Sequence, residues 1–78
     1  MIARTYQNSI CVLITFCSMT MSEIHSQITE YADLIHEFRR GAFDILPAPW
    51  LNQVIYAFEY EDDALIFMLK IGGKRYYA

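Results

Sequence analysis

A chain of 78 residues has room for one domain, here taken as residues 1–78, with a single core. Hydrophobic residues make up 55% of it and charged residues 19%, which excludes intrinsic disorder, since disorder needs low hydrophobicity and high charge. The net charge of −3 disfavours a nucleic-acid-binding protein, because such proteins neutralise phosphates with a basic surface. We expect a small domain that packs very efficiently or covers apolar surface with an oligomer or a partner.

The first predicted element is a strand over residues 5–17. This run is almost continuously apolar and lacks Gly and Pro, as is typical of a central strand or one covered on both faces. Cys11 and Cys17 both belong to it, so we expect two buried, reduced thiols. Six residues of strand would hold them about 20 Å apart, too far for a disulfide.

The apolar segment 10–21 also permits an alternative function, a small secreted or membrane-associated protein. Arg4 gives only one positive charge before it, Ser18-Met19-Thr20 is a poor cleavage site, and the segment is too short to span a bilayer. A buried strand is therefore the preferred interpretation. A translation start at Met19 or Met21 is also open.

Residues 21–40 carry the strongest local signals and predict an amphipathic helix. Thr20 and Glu23 fit a capping box, in which each side chain satisfies a backbone donor of the other. Gly41 is placed to form a left-handed cap at the far end. The apolar stripe recurs at alternating steps of four and three residues: Ile24, Ile28, Tyr31, Ile35 and Phe38.

The second half of the chain predicts strands. Residues 42–49 contain two prolines and indicate a connector. Residues 51–60 fit both a helix and a strand, and their aromatic and β-branched side chains favour the strand. After an acidic break at residues 61–63, residues 64–71 form an apolar run of strand length.

Gly72 and Gly73 then predict a tight hairpin, because both can take positive φ, and residues 74–77 predict a returning edge strand. The predicted order is β-α-β-β-β. The fold class is α+β: one N-terminal strand and one amphipathic helix (about 21–40) packed on a C-terminal antiparallel β-meander.

Residues capable of catalysis or metal binding are poorly arranged in the sequence. On the predicted helix, His25 and His36 lie about 16 Å apart along the axis, which forbids a shared metal ion. The cysteines have aliphatic neighbours that disfavour a thiolate, and no serine lies in a nucleophile-elbow motif. Gly73–Lys74 lacks the rest of a phosphate-binding loop. We predict no enzyme activity, no cofactor and no metal.

Surface chemistry points instead to protein binding. Tyr and Trp are enriched at interfaces, and carboxylates repeat along the outer side of the predicted helix. We predict a small acidic, cytoplasmic protein-binding module of inhibitor, antitoxin, immunity or adaptor type. Its partner is another protein, a homodimer is one option, and neither nucleic acid nor membrane is expected. The predicted interface residues are Glu30, Asp33, Glu37, Trp50, Tyr56, Tyr60 and Tyr76.

Overall fold

The computed structural model describes residues 10–48, 50 and 52–76. Its elements, in chain order, are β1 (Ile10–Thr15), α1 (Met21–Phe38), β2 (Phe43–Pro47), β3 (Gln53–Phe58), α2 (Glu61–Lys70) and β4 (Lys74–Tyr76). The four strands form an antiparallel sheet in the order β2-β3-β1-β4. The protein is therefore an α+β domain, as predicted, and residues 5–9 of the predicted first strand lie outside the described part.

Two β-α-β units interleave in this sheet. β1 and β2 are separated by β3, and β3 and β4 are separated by β1, so each helix crosses over a strand of the other unit. This is the connectivity of the ferredoxin-like, or split β-α-β, topology. The topology hosts many functions and indicates none by itself. Its consequence here is that β1 is a central strand, which explains its continuous apolar sequence.

Both helices pack on one face of the sheet. That face carries Val12, Tyr56 and Phe58, which form one core with Ile35 of α1 and Phe67 of α2. Aromatic rings fill much of the space between the layers. The ring pairs that contact within this core include Phe16–Tyr31, Tyr31–Tyr56, Tyr31–Phe67, Tyr56–Phe67 and Phe58–Phe67.

Helix α1 begins as predicted. Glu23 N–H donates to Thr20 Oγ1 at 3.2 Å and Thr20 N–H donates to Glu23 Oε1 at 2.8 Å, which completes the capping box. The helix ends at Phe38, and its C-cap residue Arg39 is extended. Gly41 is not in a left-handed conformation, so the predicted glycine cap is wrong. The helix instead terminates by an extended exit toward β2.

The connector predicted at residues 42–49 contains a strand, β2, which was missed because of its proline. Pro47 is tolerated because β2 is an edge strand, where the missing N–H does not interrupt the sheet. The neighbouring strand β3, Gln53–Phe58, confirms the strand interpretation for this part of residues 51–60 and rejects the helical one, and residue 51 lies outside the described part. β2 and β3 pair antiparallel and form a hairpin at this edge of the sheet.

Of the strand predicted over residues 64–71, residues 64–70 belong to helix α2 and Ile71 is the C-cap residue of that helix. The acidic residues at 61–63 are its first turn, where carboxylates favour the positive end of the helix dipole, and Lys70 lies at the other end. A short run that is apolar on every side has no clear period, so it fits a strand and a helix alike. The tertiary structure decides between helix and strand for this segment. Here β4 completes the sheet, and residues 61–70 pack in the helical layer.

Gly72 and Gly73 link α2 to β4 and do not form the predicted hairpin. Both have positive φ, at 116° and 98°, as expected from the glycine pair. Gly73 also has no room for a side chain: a Cβ there would lie 2.6 Å from Ile14 Cδ1 and 2.9 Å from Leu13 O. The chain then enters β4 beside β1, which confirms an edge strand at Lys74–Tyr76 but with a different neighbour.

Candidate protein-binding surface

Helix α2 presents apolar side chains to solvent as well as to the core. Ala64 and Phe67 are buried, whereas Leu65 is 44% exposed and Leu69 is 87% exposed. Residues four apart on a helix lie on the same side. We call Asp62, Leu65 and Leu69 the α2 outer face. Residues 64–69 of α2 are apolar all round, and a helical segment of this kind is normally buried, so this face has the chemistry of a contact surface.

A buried carboxylate holds the start of α2 in place. Asp63 is fully buried, and its Oδ1 and Oδ2 accept from Arg40 N–H at 3.1 and 3.0 Å, while Oδ2 also accepts from Gly41 N–H at 3.1 Å. These donors belong to the exit of α1. The first turn of α2 is thereby fixed to the end of α1, and the orientation of the outer face follows from this connection.

Tyr60 and Glu59 contact the same segment between α1 and β2. Glu59 Oε1 accepts from Ala42 N–H at 2.9 Å, and the Tyr60 ring lies against Gly41 so closely that a Cβ there would be 2.7 Å from its ring carbons. A side chain added at position 41 would therefore have to displace the Tyr60 ring and the Glu59 carboxylate. Tyr60 nevertheless remains 49% exposed, so one side of its ring is available to a partner.

The predicted acidic residues Glu30, Asp33 and Glu37 are all exposed on α1. They lie in the helical layer, on the same side of the sheet as the α2 outer face. Their carboxylates can therefore contribute to the electrostatic potential around that face. One of them also makes a long side-chain hydrogen bond within α1: Gln27 Nε2 donates to Glu30 Oε1 at 3.5 Å.

The predicted aromatic anchors do not form one surface. Trp50, 66% exposed, precedes β3, whereas Tyr60 follows it, so they lie at opposite ends of a strand about 20 Å long. Tyr76 is partly buried on the face of the sheet that the helices do not cover, with Cys11 and Ile55. Sequence alone could not show that these aromatic residues lie far apart. The order of the strands in the sheet determines which strand ends and which faces are neighbours.

Tyr56 is a core residue, which corrects its assignment as an interface anchor. Its side chain is fully buried, and its hydroxyl donates to the Ile28 carbonyl at 3.3 Å. Burial raises the pKa of the Tyr56 phenol, with a smaller contribution from Tyr31. The ring is thus held neutral inside the domain, where no partner reaches it.

The two cysteines have different environments, and neither forms a disulfide. Cys11 is buried in β1, as predicted, and burial raises the pKa of its thiol, opposed in part by the charge of Arg75. Cys17 is exposed, so its predicted burial is wrong. The reason is that β1 ends at Thr15: Phe16 still points into the core and Cys17 follows on the solvent side.

The histidines and clefts show little convergence of reactive groups. His25 is exposed, and the rings of His36 and Phe43 contact each other in a T-shaped arrangement, with centroids 5.2 Å apart. A cavity of about 450 Å³ at the end of β1 is lined in part by Thr15 and Gln53, whose side chains bond to each other: Gln53 Nε2 donates to Thr15 Oγ1 at 3.1 Å. Among the residues that the structure describes, no cluster of His, Cys, Asp or Glu is suited to a metal ion.

The missed candidates are Leu65 and Leu69. The signal that could have revealed them is the charge order of residues 61–70, three acids first and one lysine last, which is typical of a helix. In the described ranges, neither helix combines the length and apolarity needed to cross a bilayer. Comparison with family models, curated proteins and solved structures finds no match for this chain.

Proposed function

We propose that this chain is a small acidic, cytoplasmic protein-binding module of inhibitor, antitoxin, immunity or adaptor type, without catalytic activity of its own. The observation that carries the proposal is the α2 outer face, with Leu65 and Leu69 exposed on a helix that is apolar on its inner side too. Covering these leucines with a partner removes apolar surface from water, which is the main driving force of association.

The environments of Cys11 and of the buried carboxylate of Asp63 support a binding role. Burial raises the pKa of the Cys11 thiol, so little thiolate forms at neutral pH. The carboxylate of Asp63 is occupied by backbone donors. Neither of these two groups is therefore available for nucleophilic chemistry, and the exposed thiol of the described residues is Cys17.

The acidic residues of α1 support electrostatic steering. Glu30, Asp33 and Glu37 are exposed, and the chain carries a net charge of −3. Exposed charges of one sign mainly accelerate encounter with a partner and contribute little to the final affinity. We assign the electrostatic steering of the partner to these residues and most of the binding affinity to Leu65 and Leu69.

Site-specific photo-crosslinking in cells that naturally produce the chain tests this proposal. A benzoylphenylalanine replaces Leu69, and the matched control carries it at Ser26, an exposed position on α1. We expect a discrete protein adduct from position 69 and none from position 26. The adduct can contain another protein or a second copy of the chain. No adduct from position 69, or equal adducts from both positions, would overturn the proposal.

A further inference from the structure

We propose that the cavity at the end of β1 binds a small organic acid, with its carboxylate at the edge of the sheet and its apolar body between the sheet and the two helices. This site does not depend on the proposed function, because none of the residues of the α2 outer face lines it. The inference is carried by the place where β4 begins, which leaves the last residue of β1 without a strand beside it.

The sheet has a gap at its edge beside Thr15. The register pairs Leu13 of β1 with Lys74, the first residue of β4, whereas β1 continues for two more residues to Thr15. Before Lys74, the chain arrives from α2 through Gly72 and Gly73, both with positive φ. Within the described residues, no strand therefore lies beside Thr15 on this side. The cavity occupies the gap, since Thr15, Gly73 and Lys74 all line it.

The backbone N–H of Thr15 points into this gap. Phe16 N–H donates to Asn52 O at 2.8 Å, on the side of β3. Successive residues of a strand direct their N–H and C=O groups to opposite neighbours, so those of Leu13 and Thr15 point to the side of β4. The position of Gly73 agrees, because a Cβ there would lie 2.9 Å from Leu13 O. Thr15 thus offers an N–H donor to the cavity, beyond the start of β4.

Lys74 supplies the positive charge. It is exposed, and among the described residues that line the cavity it alone has a charged side chain. Because Lys74 lies opposite Leu13, it is a diagonal neighbour of Thr15, and such positions are about 7–8 Å apart, within reach of a long side chain. A carboxylate that accepts from Thr15 N–H can therefore also contact the Lys74 ammonium. Hydrogen bonds to an ionised group are roughly twice as strong as neutral ones.

The inner part of the cavity is apolar. Ile14 lies on the helix-covered face of β1, Tyr31 is half-buried on α1, and Ile71 is the half-buried C-cap residue of α2. The volume of about 450 Å³ is within the roughly 300–1,000 Å³ of small-molecule sites, which are mostly apolar with a few placed polar groups. The occupant that fits this lining is a carboxylate with an aryl or alkyl body.

The acidic residues of the chain oppose an anion only weakly at this site. Among the described residues that line the cavity, none carries a carboxylate. The acidic first turn of α2, residues 61–63, lies up to a helix length of about 15 Å from Lys70, whereas physiological salt screens exposed charges beyond roughly 8 Å. Lys70 itself compensates the negative end of the α2 dipole, which lies next to Ile71.

The test is a titration of the isotope-labelled full chain with hydrocinnamate, followed by two-dimensional NMR at pH 7 in about 0.15 M salt, where distant charges are screened. The neutral isostere hydrocinnamamide is the control ligand. Lys74→Gln removes the positive charge at the cavity. Lys70→Gln removes the same charge from an exposed position of α2 that does not line the cavity, and it is the matched control. The spectrum of each variant verifies that it is folded.

We expect hydrocinnamate to shift the amide signals of Thr15 and Gly73 saturably, with a dissociation constant on the order of millimolar for a ligand of this size. The Thr15 amide proton should move downfield as it donates to the carboxylate. Lys74→Gln, and separately the neutral ligand, should weaken binding at least about fivefold. Lys70→Gln should weaken it less than about twofold.

Shifts that do not saturate, or that are confined to residues outside the cavity, overturn the inference. So does hydrocinnamamide binding as tightly as the acid, or Lys74→Gln binding the acid as tightly as the wild type. None of these results changes the crosslinking expected at position 69, so this site and the proposed function can fail separately.

Discussion

Asp63 Oδ2 accepts a hydrogen bond from the backbone N–H of Gly41 at 3.1 Å, across 22 residues of sequence. The same carboxylate receives Arg40 N–H on both oxygens. A side chain in the first turn of α2 thus accepts from the backbone N–H groups of Arg40 and Gly41. These N–H groups lie beyond the end of α1 at Phe38 and are not part of its helical hydrogen-bond ladder. The contact joins the two helices at the end of the sheet that also bears Tyr60.

Replacing this carboxylate should destabilise the domain. Asp63→Asn removes the charge and turns an amide toward N–H donors, and we expect it to lower the free energy of unfolding by about 2–3 kcal/mol. Asp62→Asn, next to it but exposed, should cost less than about 0.5 kcal/mol. Urea unfolding of the two variants measures the difference. Equal effects would show that burial of the Asp63 carboxylate has no energetic role.

The glycine pair offers a second comparison, because the two positions share positive φ but differ in space. Gly72→Ala meets only the backbone strain, since nothing lies within 4 Å of the added Cβ, and should cost about 1–2 kcal/mol. Gly73→Ala adds a clash with Ile14 and the Leu13 carbonyl, so it should cost at least about 1 kcal/mol more. Thermal and urea unfolding give both values. A Gly73→Ala variant as stable as Gly72→Ala contradicts the close approach to β1.

Tyr56 predicts a pH-dependent stability difference. At pH 7, Tyr56→Phe loses the hydrogen bond to the Ile28 carbonyl and should cost about 0.5–1.5 kcal/mol, whereas Tyr60→Phe at the surface should stay within about 0.5 kcal/mol. The pKa of Tyr56 is raised in the folded state, so its stabilising contribution is complete below the unfolded value of 10.0 and is lost as the pH rises above it. The deficit of Tyr56→Phe should therefore shrink between pH 7 and pH 11 in urea unfolding. A constant deficit contradicts the burial of the phenol.

The cysteines predict selective labelling. Cys17 is exposed and Cys11 is buried with a raised pKa, so a thiol reagent should modify one cysteine of the folded chain quickly and the second only after unfolding. Cys17→Ser should abolish the fast reaction and Cys11→Ala should preserve it. Mass spectrometry of the labelled protein with and without urea decides the outcome. Fast modification of Cys11 in the folded chain would place β1 nearer the surface than the structure does.

The candidate surface shows where prediction from sequence stops. Glu30, Asp33 and Glu37 could be placed on the exposed side of α1 because the apolar stripe determines the orientation of that helix. Tyr56 could not be separated from Tyr60, since both fit either side of an alternating strand. The sequence predicts a strand at Leu65 and Leu69, and their exposure follows only from the helical structure of residues 61–70.

By itself, the sequence determined the elements whose signals are local and agree with one another. The capping box, the stripe from Ile24 to Phe38 and the apolar run of β1 each require only neighbouring residues, and the glycines at 72 and 73 required only their own backbone freedom. The tertiary structure alone decided β2 and the environment of Asp63, and it decided α2 against the predicted strand, although the charges at the two ends of residues 61–70 are typical of a helix. A short apolar run becomes helix or strand according to which layer has space for it, and a carboxylate becomes buried only when distant N–H donors compensate its desolvation.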